Sequence, residues 1–245
     1  MTDATRRDFV VTAAGLALLG AGAADTSPTL AADAPATTKA RAFDTAHVPV
    51  PLPFDPKTLK GISEKLIVSH WENNYGGASK ALNGLRARLA QAAADAGTPP
   101  YVYSGLKREQ LLRTGSVVLH EYYFANLGGD GKAPAATRQA IAASFGTFDA
   151  WENEFRKIGA GLGGGSGWVM LGHNRRLGIL ENHWMADHAT APADTSPILV
   201  MDMYEHAYQM DYGAAAAKYI DAFFVNIDWD KVGARFEAAA AHSRA

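Results

Sequence analysis

The chain contains no cysteine among its 245 residues. Disulfides and thiolate metal sites are therefore excluded, and a bound metal would need histidine, carboxylate or backbone oxygen ligands. A strong excess of one charge is also missing. The 23 basic and 25 acidic residues give a formal net charge of −2, so nothing in the charge points to nucleic acid or an anionic membrane as a partner. The 48% of hydrophobic residues are enough to bury a substantial core.

The N-terminal region is typical of an export signal. Arg6-Arg7 precede an apolar run, Phe9–Ala24, that is shorter than the roughly 20 residues a membrane span needs. This pattern resembles a bacterial twin-arginine signal, although a disordered N-terminus with two chance arginines is the alternative. We expect residues 1–35 to be the signal and residues 36–46, rich in Ala, Pro and Thr, to be a flexible tether. The protein is then periplasmic or secreted, with no membrane as partner after signal cleavage.

Helical and strand patterns divide the rest of the chain into two parts. Residues 47–130 contain two long helices and a Pro-rich connection, which predict an antiparallel hairpin with a bend or break near residues 73–77. Residues 131–245 predict an α+β domain with a hairpin turn at residues 173–175. Its three strand candidates are Gly167–Gly172, Arg176–Leu180 and Pro197–Met201. The predicted fold class is α+β: a long helical hairpin followed by a domain with a small three-stranded antiparallel sheet.

The residues best suited to chemistry follow the third strand candidate. Asp202 ends a buried strand, where a carboxylate must be paired, hydrogen-bonded or bound to metal. His206 follows four residues later, in the turn that leaves the strand. A carboxylate and an imidazole together suit a first-row transition metal. The Asp-x-x-x-His spacing alone is equally typical of a structural acid–histidine pair.

The longer string around this pair, Asp202-Met203-Tyr204-Glu205-His206-Ala207-Tyr208, resembles the signature of the iron/manganese superoxide dismutases. Three other segments match that family in the same order: Phe145-Gly146-Thr147-Phe148, Gly165-Ser166-Gly167-Trp168-Val169 and Asn226-Ile227-Asp228-Trp229-Asp230. The similarity covers roughly residues 47–240. It implies an oxidoreductase that disproportionates superoxide with one iron or manganese ion per subunit, in a homodimer or tetramer.

The resemblance also implies the metal ligands. The family places one ligand histidine on each helix of the hairpin, in addition to the strand-end aspartate and histidine. A histidine on an apolar helix face is by itself more often a buried core residue, but two such histidines stand at the matching positions. The implied set is His70, His120, Asp202 and His206.

Further residues take roles that the resemblance implies. Trp168, Tyr204 and Phe124 are expected to form an aromatic wall that keeps the site dry, and Glu205 to reach the ligand histidine of a partner subunit. An ordinary surface acid is the alternative for Glu205. In such enzymes a side chain that is not itself a metal ligand forms a hydrogen bond to the solvent molecule on the metal. His183 is the predicted residue here, with His188 as the alternative.

Three positions depart from the family pattern. The histidine and tyrosine that usually follow the first ligand by four and eight residues are Asn74 and Ala78, and a tyrosine after the last ligand is Gln209. These changes put proton delivery and dimer geometry in doubt, although Tyr75 would supply a phenol if the helix is rearranged near Gly76-Gly77. A peroxidase-like enzyme and a non-catalytic metal-binding relative are therefore alternatives to a dismutase.

Overall fold

The computed structural model describes residues 41–242. Their helices are α1 (Arg41–Asp44), α2 (Glu64–Ser69), α3 (Gly76–Ala94), α4 (Pro100–Ala125), α5 (Ala135–Phe145), α6 (Phe148–Leu162), α7 (Gln209–Tyr212), α8 (Ala216–Phe224) and α9 (Trp229–Ala241). The strands are β1 (Trp168–Asn174), β2 (Ile179–Met185) and β3 (Thr195–Asp202). Short 3₁₀ turns lie at Pro56–Thr58 and Glu205–Ala207. The predicted α+β class, with its helical hairpin and three-stranded antiparallel sheet, is confirmed.

The first arm of the hairpin does not break where its poor helix formers predicted. Residues His70–Tyr75 instead form a π-helix, which we call the π turn, and it joins α2 directly to α3. Its wider winding is visible in the bond from the Gly76 amide to the Trp71 carbonyl, five residues back. The Asn73 side chain also donates to the Ser69 carbonyl at 3.0 Å. Helix α2, the π turn and α3 therefore follow one another without a break, and the winding changes at His70.

The second arm of the hairpin is helix α4. Helix α4 begins at Pro100, because proline tolerates the first helical position, where its missing amide hydrogen is not needed. It packs antiparallel to α3 along most of its length. In the next helical pair, Thr147 is the cap of α6, since its hydroxyl accepts from the Ala150 amide at 3.0 Å.

The sheet has the order β2-β1-β3, with both pairs antiparallel. The hairpin turn predicted at residues 173–175 lies later, at residues 175–178. Asn174 still pairs with Ile179, and its side-chain oxygen accepts from the Arg176 and Leu177 amides. Strand β2 runs on to Met185 because its polar stretch keeps pairing with β1, as far as Met185 opposite Trp168. The central strand β1 thus holds Trp168 directly opposite Asp202 of β3.

The N-terminal segment of the described chain is folded onto the hairpin. The signal predicted at residues 1–35 and the first part of the tether lie outside the described residues. The rest of that tether is not free, because α1 packs against α3 and Arg86 donates to the Thr45 carbonyl. Across residues 41–242, no helix combines the length and apolar character needed to cross a bilayer.

One core serves the hairpin and the sheet. Buried side chains of α3 and α4 belong to the same cluster as those of β1, β3 and α8. The core is therefore continuous across residues 130 and 131. The domain boundary placed there stays a prediction.

Candidate metal centre

Four side chains from four elements of the fold converge at one point. They are His70 of the π turn, His120 of α4, Asp202 at the end of β3 and His206 in the turn that follows. One donor atom from each lies within 4.8 Å of every other. The Nε2 atoms of His70, His120 and His206 approach the same oxygen, Asp202 Oδ2, at 3.1, 3.6 and 3.2 Å.

Asp202 is held so that one carboxylate oxygen stays available. Its Oδ1 accepts from the Tyr204 amide at 2.8 Å, and its carbonyl accepts from the Tyr219 hydroxyl at 2.7 Å. The residue is fully buried. Burial disfavours the charged form, but the charge and hydrogen bond of His206 and the contact with His70 outweigh it and hold the pKa of Asp202 well below its usual range.

His120 presents a lone pair to the cluster. Its Nδ1 lies 2.7 Å from the Ser116 carbonyl, which can only accept, so Nδ1 carries the hydrogen and Nε2 does not. Burial, followed by the neighbouring His70, lowers the pKa of His120 to about 3. The ring is therefore neutral at physiological pH, which is the form that binds a metal ion.

His70 is equally buried but less well satisfied. Neither of its ring nitrogens has a hydrogen-bond partner of good geometry within residues 41–242, and the same is true of His120 Nε2. Burial also lowers the pKa of His70, although Asp202 opposes the shift. Buried polar atoms without partners are costly, and a cation would satisfy two of these nitrogens, His70 Nε2 and His120 Nε2, which both lie near Asp202 Oδ2. The donor set of three imidazoles and one carboxylate, without sulfur, fits iron or manganese.

Aromatic rings surround the cluster. Trp168 is fully buried, and its ring centroid lies 5.1 Å from that of His120. Phe124 lies 5.0 Å from His70, and Tyr204 lies 5.3 Å from His206. The structure thus brings the three residues expected for the aromatic wall to the site. Tyr123, which the sequence did not single out, also contacts His70, at 5.2 Å.

Comparison with known proteins gives a consistent family. The family described as iron/manganese superoxide dismutases, C-terminal domain, matches residues 133–235. A protein named superoxide dismutase [Fe] from Cupriavidus metallidurans is 51% identical over 190 residues, covering 77% of this chain and 95% of the relative. One of the same name from Aquifex aeolicus is 37% identical over 75% of this chain and 88% of its own. A superoxide dismutase [Mn] from Haloferax volcanii is 31% identical over 77% of this chain and 94% of the relative.

The chain belongs to the iron/manganese superoxide dismutase family. Membership confirms the predicted enzyme class, an oxidoreductase of the superoxide dismutase type, and the predicted cofactor, iron or manganese. The assignment of individual ligands rests on the convergence of His70, His120, Asp202 and His206 described above.

The structure does not bring His183 to the cluster. In this dismutase fold His183 lies within β2, opposite Met170, and its ring is beside Gly172 of β1. The alternative, His188, lies in the loop between β2 and β3, and its centroid is 6.0 Å from that of His120. The prediction of His183 does not fit because β2 extends farther than expected, so the chain reaches the site only after Met185.

His188 is held between two aromatic side chains. Its ring stacks on Tyr204 at 4.7 Å with an interplanar angle of 10°, and its Nδ1 lies 3.0 Å from the Trp168 indole nitrogen. An indole N–H only donates, so Nδ1 accepts and the hydrogen of the neutral ring sits on Nε2. Burial lowers the pKa of His188 and burial raises that of Tyr204 to about 12, so both groups are neutral at physiological pH.

The positions that depart from the family pattern have plain structural settings. Ala78 is buried in α3, with 4% of its surface exposed. Tyr75, at the end of the π turn, is buried, with its ring 6.4 Å from that of His120. Its hydroxyl accepts from the Val50 amide and donates to Glu121, each at 2.7 Å. Gln209 is exposed at the start of α7.

Proposed function

We propose that this protein disproportionates superoxide with a single iron ion held by His70, His120, Asp202 and His206. The convergence of three imidazole nitrogens on one buried carboxylate oxygen is the observation that carries this proposal. Iron is favoured over manganese because the relatives at 51% and 37% identity are named as iron enzymes, whereas the relative at 31% is named for manganese.

The chain's own residues account for the features that such a site needs. When bound, the ion supplies the redox step, taking an electron from one superoxide and giving it to a second, and two protons complete the peroxide. Asp202 contributes a negative charge that favours the trivalent ion. Ser116 fixes the tautomer of His120, and Trp168 fixes that of His188. Trp168, Phe124 and Tyr204 exclude water, which strengthens these electrostatic effects.

We assign to His188, rather than His183, the role of the outer group that donates a hydrogen bond toward the metal's open position. The matched pair of variants His188→Gln and His183→Gln tests this assignment. Loss of the group outside the ligands costs about 10- to 100-fold in activity or metal affinity, so the first variant is expected to lose that much and the second to stay within about twofold. Equal losses in both variants would contradict the assignment.

The dismutase proposal itself is tested by metal analysis and superoxide turnover of the wild-type protein and His206→Ala. We expect about one iron per chain and rapid turnover in the wild type, with both reduced together in the variant. Metal-loaded wild type without turnover would sink the dismutase proposal and favour a structural metal site. Turnover of peroxide with an organic reductant, but not of superoxide, would favour the peroxidase-like alternative.

We propose that the protein works as a homodimer or tetramer. Glu205 is exposed directly beside His206, whose side chain is 27% exposed while the other three ligands are buried. Met210 is half exposed on the same stretch of chain. A partner subunit that covers this edge would bring its own residues next to His206. Sedimentation of the wild type and Glu205→Ala tests this, and a monomeric, fully active wild type would contradict it.

We also propose export by the twin-arginine route to the periplasm or beyond. The support is in the sequence: Arg6-Arg7 followed by the apolar run Phe9–Ala24 and small residues near position 35. Fractionation of cells that express the full chain or the Arg6→Lys/Arg7→Lys double variant tests the proposal. We expect the variant to accumulate in the cytoplasm, and equal export of both proteins would contradict a twin-arginine signal.

A further inference from the structure

The loop between β2 and β3 rests directly on α4. A Cβ atom at position 115 would overlap the His188 carbonyl oxygen and lie 2.8 Å from its carbonyl carbon. Ordinary van der Waals contact begins near 3.4 Å. Both atoms met by the added carbon belong to the backbone, so no side-chain rotation relieves the overlap. Any residue other than glycine at position 115 therefore displaces the loop.

The loop is closed by its own hydrogen bonds at this point. The Asp187 amide donates to the Thr190 hydroxyl at 3.2 Å, and that hydroxyl donates to the Asp187 carbonyl at 3.0 Å. The Ala189 amide donates to Asp187 Oδ1 at 2.8 Å. Residues 187–190 are therefore a turn closed by its own hydrogen bonds, and Gly115 is where this turn meets the helix.

The His188 side chain runs from this turn into the site. Its ring is stacked on Tyr204, bonded to Trp168 and 6.0 Å from the ring of His120. His120 belongs to the same helix as Gly115, five residues later. The contact at Gly115 thus sets the distance between the His188 backbone and α4, the helix that carries His120.

We propose that Gly115 is a positioning residue for His188, because only glycine lets the turn at residues 187–190 dock on α4 closely enough to place that imidazole beside His120. The inference deepens the proposed function and rests on it. A β-carbon at position 115 would push the His188 carbonyl away by more than an ångström, and misplacement of about 1 Å in a catalytic constellation costs up to about 100-fold in rate.

The test is a double-mutant cycle in the metal-loaded, full-length enzyme. The four proteins are the wild type, Gly115→Ala, His188→Gln and the double variant. Two quantities are measured per bound metal: kcat/KM for superoxide, and the dissociation constant of azide, a small anion that binds open positions on ferric iron, from the visible spectrum. We expect Gly115→Ala to lower kcat/KM about 10- to 100-fold and to change azide affinity severalfold. In the His188→Gln background the same substitution should change either quantity by less than about twofold.

Gly105→Ala is the matched control, since Gly105 lies in the same helix and a Cβ there meets nothing within 4 Å. This variant should keep the wild-type azide affinity. Independent, additive effects of Gly115→Ala and His188→Gln would overturn the proposal, as would an unchanged azide affinity in Gly115→Ala. If the wild type shows no superoxide turnover but the azide cycle is coupled as described, the positioning role stands and the dismutase proposal fails.

Thr190→Val provides a second route if Gly115→Ala does not fold. It leaves the helix intact and removes the two hydrogen bonds that the Thr190 hydroxyl makes within the turn. We expect a smaller change of azide affinity that again disappears in the His188→Gln background. An azide affinity equal to that of the wild type would show that the turn does not set the position of His188, and the proposal would be wrong.

Discussion

The two helix-borne histidines of the metal centre are held in different ways. His120 sits on a regular α-helix, and its own helix secures it through the Ser116 carbonyl at 2.7 Å. His70 sits at the start of the π turn, and its ring is located by packing and by its approach to Asp202. The fold alone therefore fixes the orientation and tautomer of one ligand, whereas the other depends on what occupies the centre.

The largest expected effect comes from Asp202→Ala, which removes the group that both histidines face. Metal content should fall below about a tenth of the wild-type value, because the divalent or trivalent ion loses its only anionic ligand in the cluster. Activity should fall to background. Metal analysis and superoxide turnover provide the measurement. A variant that keeps its metal would show that the three histidines suffice without the carboxylate.

Metal removal should affect the two arms of the hairpin unequally. A ligand present at about 1,000 times its dissociation constant stabilises a protein by about 4 kcal/mol, so the metal-free protein should melt at a lower temperature. Backbone amides of His70–Tyr75 should exchange faster after chelation, whereas those around Ser116 and His120 should change little. Hydrogen exchange followed by mass spectrometry measures this difference. Equal changes of the exchange rate in the two segments would contradict the conclusion that the fold alone orients His120 but not His70.

Tyr75→Phe should loosen the π turn and its attachment to α4 through Glu121. The hydroxyl is buried and serves the Val50 amide and Glu121, so its loss should lower the free energy of unfolding by about 1–2 kcal/mol. Tyr101→Phe is the control, because that side chain is 78% exposed and should change stability by less than about 0.5 kcal/mol. Denaturant titration measures both variants, and equal stability of Tyr75→Phe and wild type would show that the phenol does not brace the turn.

The smallest effect is expected for Ser116→Ala. The Ser116 hydroxyl lies 3.4 Å from His120 Nδ1, but the backbone carbonyl already holds that atom at 2.7 Å. Metal content should be unchanged and kcat/KM should stay within about twofold of wild type. A tenfold loss would mean that the side chain, rather than the helix backbone, secures this ligand.

Sequence patterns predicted the parts of the molecule that depend on regular periodicity or on a distinctive string. The hairpin and the sheet follow from the apolar periodicity of the chain. The four converging side chains follow from the family resemblance, which the string that begins at Asp202 carries. Sequence patterns could not predict the π turn, because Asn73-Asn74-Tyr75-Gly76-Gly77 indicates only that a regular helix is disfavoured. Whether the chain breaks or rewinds there depends on tertiary contacts such as those of Tyr75.

The choice between His183 and His188 failed for a related reason. The polar stretch Glu181-Asn182-His183 looks like the end of a strand, but pairing with β1 extends β2 by several residues. The histidine that reaches the site is then the later one. Gly115 carried no signal of its own, since a glycine within a helix is ordinarily only a weak helix former, and its role depends on a backbone that arrives from more than seventy residues away.

The four donors straddle the sheet in the order of the chain: two precede β1, and two come at or after the end of β3. No nascent chain shorter than the segment through His206 can hold a complete set. During synthesis the hairpin leaves the ribosome with the imidazoles of His70 and His120 but without the Asp202 carboxylate. It can therefore bind a cation only weakly, through two donors. Capture of the ion is thereby postponed until the sheet has closed, and the segment that carries Asp202 and His206 decides when the enzyme can be loaded.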